Sequence, residues 1–267
     1  MLLSPVTGDM KCALLDLDGT IIMTDYDRYL IGIPSKLLLK RKITNNEREA
    51  HRLFKLRVRE IIKEQILSGN YIRAFDWDFV INRALSSFGI EERVSPLNLL
   101  IKSIEDGRTR PYEDAIPAVR ELRKSRKVCV MTGGLSKYQL TIMEKLGIRE
   151  EFDDVITTDR LGVLKVRPEA FHRALKECNC DEAFHVGDSL SHDIFGAKSA
   201  GIKAILIARD WKDLSDLSPM ERPRAAMRMS LIMEKMSRDI MNGIIEVKVP
   251  DAIVLTLKEL PPLARLL

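Results

Sequence analysis

The run Ala13-Leu14-Leu15-Asp16-Leu17-Asp18-Gly19-Thr20 sets two carboxylates one residue apart at the end of an apolar stretch. A strand alternates its side chains, so Asp16 and Asp18 lie on one face if the strand continues and converge on one point if it ends there. Two carboxylates at one point repel and need a proton or a cation between them. A hard divalent ion such as Mg2+, bound by one or two carboxylates plus phosphate oxygens, meets that need. The same residues also read as a strand followed by an Asp-Gly turn, so this run alone leaves the chemistry open.

Three further stretches narrow it. Val128–Met131 is an apolar run that ends in Thr132, Gly133 and Gly134, a hydroxyl followed by backbone N–H groups able to cradle a phosphate. Lys165 precedes Pro168 and Glu169, which read as the first turn of a helix. Phe184-His185-Val186-Gly187-Asp188-Ser189 is another apolar run ending in a carboxylate, with Asp193 five residues on. Singly, each is weak: a strand-to-helix turn, a solvated lysine, a turn aspartate. Together they supply paired carboxylates, a hydroxyl, a cation and a metal carboxylate. Phosphoryl transfer asks for those parts: charge neutralisation, in-line positioning and a proton donor.

The elements that must hold these residues alternate along the chain. Apolar strand-like runs at Cys12–Leu15, Val128–Met131, Asp154–Thr157, Ala183–Val186, Ala204–Ile207 and Ala252–Leu255 are separated by segments of helical period at Tyr112–Lys124, Leu135–Leu146, Glu169–Glu177 and Asp193–Ala200. That alternation predicts an α/β fold, a doubly wound parallel sheet with right-handed crossovers. In such sheets sites form at the carboxyl ends of strands, where all four stretches fall. Two gaps interrupt the alternation. Residues 24–107 hold helical patterns at Glu47–Leu67, Asp78–Phe88 and Pro96–Ile104 and predict a helical cap; residues 1–23 and 108–267 form the core. A second helical insertion is predicted at about 211–248, where six of the eleven methionines lie. There Met229, Ile232, Met233, Met236 and Ile240 fall at helical spacing as one apolar stripe, either packed on the chain's own core or forming a homodimer contact through 220–241.

With all four stretches in order, the chain resembles the haloacid dehalogenase superfamily of hydrolases, in its phosphatase branch with a helical cap after the first motif, similar to phosphoglycolate phosphatases. The resemblance covers Lys11–Met23 and Arg108–Ile207. It implies a Rossmann-like core and Mg2+-dependent hydrolysis of a small phosphomonoester. It implies Asp16 as the nucleophile that forms an aspartyl-phosphate and Asp18 as general acid and base. Thr132 and the N–H of Gly133 would hold the phosphoryl group, and Lys165 would neutralise it. Asp16, the backbone carbonyl of Asp18 and Asp188 would hold Mg2+, with Asp193 orienting the metal's waters or Lys165 from behind. The family pattern Lys-Pro-Asp-Pro-Glu-x-Phe, laid over Lys165–Phe171, aligns the second proline, the glutamate and the phenylalanine. Lys165 is then the cation and Val166 replaces the first proline; Arg167, adjacent to Pro168, is the alternative cation. Met23 stands where relatives often have aspartate, which sets this chain apart from close phosphoglycolate- or sugar-phosphate-type relatives. A phosphomutase is the alternative reaction in such a site. A haloacid dehalogenase is disfavoured because halide departure needs neither the acid Asp18 nor a metal.

Composition sets the remaining bounds. The chain has 267 residues, 45% hydrophobic and 31% charged, with 43 basic against 39 acidic side chains. Mixed charge with few aromatics near the basic stretch Lys36–Arg59 argues against a nucleic-acid groove. The apolar runs fall short of a membrane span, and Met1–Met10 lacks the pattern of a secretory signal. Cys12 and Cys129 lie in apolar strand runs and read as buried thiols, while Cys178 and Cys180 flank Asn179 without the second pair a zinc site needs. Four cysteines suit a reducing cytoplasm. Two glutamines and seven asparagines beside so many charged residues is a thermophile-like bias, and in such organisms a cytoplasmic disulfide stays open. Of the histidines, His51 and His172 fall on charged helical faces, His185 reads as a packed core imidazole, and His192 sits beside Asp193.

Overall fold

A computed structural model describes residues 10–239 and 248–267. Among the described residues there are eight strands, β1 (Lys11–Leu15), β2 (Ile22–Met23), β3 (Arg110–Pro111), β4 (Lys127–Met131), β5 (Asp154–Ile156), β6 (Glu182–Gly187), β7 (Lys203–Ile207) and β8 (Ala252–Val254). Six of them make one sheet in the order β5-β4-β1-β6-β7-β8, with every pair parallel. Parallel strands covered on both faces must be apolar on both faces, and these are. Ala13 and Leu15, Val128 and Val130, Val186, and Ile205 and Ile207 point into one buried cluster. Leu14, Cys129 and Met131, and Ala204 and Leu206 point into another on the opposite face.

A π-helical turn at Asp27–Gly32 and five α-helices lie between β2 and β3: α1 (Ile33–Lys40), α2 (Glu47–Leu67), α3 (Tyr71–Ala74), α4 (Trp77–Ser87) and α5 (Pro96–Glu105). α2 starts where Asn46 accepts a hydrogen bond from the Glu49 N–H and where Glu47 and Glu49 meet the positive end of the helix. Its face Ala50, Phe54, Val58 and Ile61 is buried. The helical segment is tied to the core at two places. Its base is the short antiparallel pair of β2 with β3, Ile22 opposite Pro111. Its α4 N-terminus presents Asp76 and Asp78 to the Lys137 ammonium at 2.7 and 2.9 Å, while Tyr138 Oη donates to Asp76 at 2.8 Å.

The core helices are α6 (Ala115–Leu122), α7 (Ser136–Lys145), α8 (Thr158–Leu161), α9 (Pro168–Glu177), α10 (Phe195–Ser199), α11 (Arg222–Arg228), α12 (Leu231–Asp239) and α13 (Leu260–Leu263). The methionine stripe is divided. Ser230 adopts a left-handed φ of 59° and separates α11 from α12, so Met229 does not continue the face of α12. On α12, Ile232 and Met236 are buried against the core, whereas Met233 is half exposed. Ile240 and Met241 lie outside the described residues, as do residues 1–9 of the segment read for a signal.

Cys12 is buried as expected but is not a thiol: it is bonded to Cys180. The strand pattern reports burial, not pairing. The partner arrives because β6 aligns with β1, Cys12 opposite Ala183, which brings the turn before β6 alongside. Cys129 and Cys178 are the free cysteines, with their sulfurs 2.7 Å apart. The Cys12–Cys180 bond closes 168 residues of chain, and loop-closure entropy of that size corresponds to about 5 kcal/mol. Cys180→Ser is therefore expected to lower Tm by roughly 10 °C. Dithiothreitol should lower wild-type Tm similarly and leave the variant unmoved; an equal drop in both would show that the bond does not stabilise the fold. Among the described residues no helix is long and apolar enough to cross a membrane.

Candidate active site

β1 sits where the strand order reverses, with β4 and β5 to one side and β6, β7 and β8 to the other. The crevice at the carboxyl end of such a strand is open and lined by loops from both neighbours. Leu15 is level with Val130 of β4 and Val186 of β6. Asp16 therefore follows at the level of Met131 and Gly187, with Thr132 and Asp188 one residue beyond. Asp16 N–H donates to the Val186 carbonyl at 2.8 Å, which carries the sheet's hydrogen bonding one step further and fixes the first carboxylate.

The sheet thus gathers parts from four separate segments. Lys165, in the turn before α9, is buried and places Nζ 2.6 Å from Asp16 Oδ1 and 2.6 Å from Asp193 Oδ1. Arg167 is exposed, so the ammonium at Asp16 is that of Lys165. Asp193 receives His185 Nε2 at 2.9 Å on Oδ1 and the Ser189 N–H at 2.9 Å on Oδ2. Both its oxygens are thus engaged by donors. Thr132 is buried, and its Oγ1 accepts from the Gly134 N–H at 3.2 Å. Gly133 follows it at the mouth of α7.

Asp18 turns away from this cluster. Its Oδ1 accepts from Tyr26 Oη at 2.7 Å and its Oδ2 from Gln139 Nε2 at 2.9 Å. Gly19 makes the turn with φ of 80°, and a Cβ there would lie 2.5 Å from Asp188 Oδ2. Only glycine lets the Asp188 carboxylate approach the first loop this closely.

The electrostatics divide the two aspartates. Burial pushes the Asp16 carboxyl well above the usual range; Lys165 opposes this, and Asp193, Asp188 and Asp18 add repulsion. Burial also raises Asp18, against the Tyr26 and Gln139 hydrogen bonds that favour its ionised form. Burial would lower Lys165, but Asp16 and Asp193 outweigh it and hold the ammonium charged. His185 is pushed down to about 4, first by burial and then by Lys165, so it is a neutral imidazole that donates from Nε2 to Asp193. Three carboxylates, Asp16, Asp188 and Asp193, gather around the buried Lys165 ammonium with Asp18 nearby, and among the described residues the cluster is short of positive charge. Oxygens of Asp16, Asp188 and Asp193 lie within 4.8 Å of one another. Hard oxygen donors in a charge-deficient cluster fit Mg2+.

Tyr26, Gln139 and the contact of His185 with Asp193 were not legible beforehand. Tyr26 follows Asp18 by eight residues with no periodic signal. Gln139 is one of two glutamines in the chain and lies on the buried face of α7, an unusual place for an amide. His185 is the packed core imidazole expected, edge-on to Phe171 with 5.1 Å between ring centroids.

The family model for haloacid dehalogenase-like hydrolases matches residues 10–201. Glyceraldehyde 3-phosphate phosphatase of Methanothermobacter thermautotrophicus is 27% identical over 207 residues, covering 74% of this chain and 85% of that protein. Among solved structures, a HAD phosphatase from Thermococcus onnurineus superposes with a TM-score of 0.60 at 26% identity, over 96% of this chain and 98% of that one. L-2-haloacid dehalogenase from Xanthobacter autotrophicus superposes with a TM-score of 0.63 at 19% identity, over 96% and 98% of the two chains, a likeness of fold. With the match running from β1 through the fourth motif, this chain belongs to the haloacid dehalogenase-like hydrolases.

Proposed function

We propose that the protein is a phosphatase that hydrolyses a small phosphomonoester through an aspartyl-phosphate on Asp16. The observation that carries this reading is the division of labour at the end of β1: Asp16 is held by a buried ammonium, and Asp18 by two neutral donors. A carboxylate oxygen of Asp16 attacks phosphorus while the ester P–O bond breaks. The leaving oxygen takes a proton from Asp18 and departs as an alcohol. Water then attacks the phosphorus of the acyl phosphate and gives its proton to Asp18, and the Asp16–phosphorus bond breaks to release inorganic phosphate. Thr132 and the Gly133 N–H would bind phosphoryl oxygens, and Lys165 would offset their charge.

Asp16, the Asp18 carbonyl and Asp188 would hold Mg2+, with Asp193 fixing Lys165 from behind. When bound, the ion neutralises charge on the phosphoryl oxygens. The acid Asp18 separates this reading from a dehalogenase, whose halide needs no proton. The methanogen relative's name points to a phosphorylated three-carbon aldehyde as the first ester to try. The helices between β2 and β3, which contact α7 through Asp76 and Asp78, would close over the crevice and exclude bulk water. Phosphate release from a panel of small esters tests the reading. Turnover should vanish with EDTA and return with Mg2+. Asp18→Asn should lower kcat by about 10²- to 10⁴-fold. Isomerisation of a sugar phosphate without phosphate release would move the chain to the mutases.

A further inference from the structure

The third motif and the metal carboxylates account for Lys165, Asp188 and Asp193, but not for the amide of Gln139. It is buried, 4% exposed, and its Nε2 donates to Asp18 Oδ2. Reaching Asp18 requires the side chain to fold back from α7 across the turn Gly133-Gly134. It does so through the space above Gly134. A Cβ on that residue would lie 2.2 Å from Gln139 Nε2 and 2.8 Å from both Cδ and Cγ. Gly134 does not have a positive φ, so the backbone there would accept alanine and the passage of Gln139 is what requires glycine.

We infer that Gln139, admitted by Gly134, and Tyr26 form a two-sided clamp that orients the Asp18 carboxyl for proton transfer. This rests on the phosphatase reading, because it assigns the clamp to the proton Asp18 moves. One donor on each oxygen fixes the plane of the carboxyl group, which otherwise turns freely about its last bond. Proton transfer needs the acid within hydrogen-bond reach of the leaving oxygen, so losing that orientation costs rate without costing affinity. Both jaws are also anchored to the helices between β2 and β3. Tyr26 caps the π-helical turn Asp27–Gly32 that leads into α1, and Gln139 follows Lys137 and Tyr138, which hold Asp76 and Asp78. Tyr26 and Gln139 are positioning residues: they act through Asp18.

The test is a double-mutant cycle of Gly134→Ala and Gln139→Ala, assayed on an alkyl phosphate and on p-nitrophenyl phosphate. The alkoxide leaving group needs a proton; the nitrophenolate does not. Each single change is expected to lower kcat for the alkyl ester by about 10- to 100-fold, with KM within about twofold. The loss on p-nitrophenyl phosphate should be several-fold smaller. The double variant should be no worse than Gln139→Ala, because the added methyl group then has nothing to displace. Tyr26→Phe should show the same leaving-group signature. Multiplicative effects of the two changes, equal losses on both esters, or a rise in KM alone would each overturn the clamp. Should Gly134→Ala fail to fold, Gln139→Leu and Tyr26→Phe decide through the leaving-group comparison. Wild-type protein that cleaves neither ester overturns the clamp together with the phosphatase reading. Wild-type turnover with no leaving-group effect in the variants overturns the clamp alone.

Discussion

Asp16→Asn is expected to abolish turnover, by on the order of 10⁴-fold or more, while leaving the fold intact or firmer. An amide is a poor nucleophile toward phosphorus, and the neighbouring carboxylates are committed elsewhere: Asp18 is held aside by Tyr26 and Gln139, Asp193 by Lys165, His185 and the Ser189 N–H, and Asp188 would serve the cation. The stability side follows from charge. Burial and three neighbouring carboxylates hold Asp16 above the ordinary carboxyl range, so its ionised form is disfavoured in the folded protein relative to the unfolded chain. A group raised in this way costs stability as pH climbs through its titration, and neutralising it removes that cost. Lys165 keeps Asp193 as a partner. Tm measured in EDTA at neutral pH should therefore match or exceed that of wild type. Residual activity above a few per cent in the folded variant would remove Asp16 as nucleophile; a large fall in Tm would show that the Lys165 contact outweighs the repulsion.

How much of this was legible in the sequence depended on what each element uses to form. The sheet strands are apolar on both faces, and that signal is local: Cys12–Leu15, Val128–Met131 and Ala204–Ile207 fall within one residue of the observed strands. α2 runs over Glu47–Leu67 as the apolar spacing and acidic first turn require. What escaped depends on partners distant in the chain or on a single dihedral. β2 and β3 are two residues each, too short for any pattern, and exist because they close the base of the helical segment. The Cys12 bond needed the register of β1 on β6. The methionine stripe failed at Ser230, whose left-handed backbone ends one helix and starts another. Three of the four site segments could be placed because each ends a strand, and a parallel sheet collects strand ends at one edge; the expectation fails for Lys165, which lies beyond α8 in the turn before α9 and reaches Asp16 from there. Tyr26 and Gln139 belong to no strand end; their role comes from where side chains meet after folding.

Lys165→Ala should cost far more than Arg167→Ala, although both are cations beside the same proline. Lys165 is buried between Asp16 and Asp193 at 2.6 Å from each. Removing it strips the ammonium from the cluster of Asp16, Asp188 and Asp193 and leaves buried charges uncompensated, which costs about 3–5 kcal/mol of stability. It also removes the group placed to offset charge on the phosphoryl oxygens, and loss of one such contact typically lowers kcat by about 10²- to 10³-fold. Arg167 is exposed, at the residue before α9, so its removal should change kcat/KM by no more than about threefold and Tm by a degree or two. Lys165→Met separates the two costs, because it fills much of the volume while removing the charge. Its Tm should recover part of the alanine variant's loss if packing contributes, and its activity should not recover. Added Mg2+ should raise the Tm of Lys165→Ala more than that of wild type, since a divalent cation at Asp16 and Asp188 answers the same charge deficit. Should Arg167→Ala prove the more damaging change, the alignment of the third motif that selects Lys165 is wrong, and the buried contact with Asp16 is structural rather than catalytic.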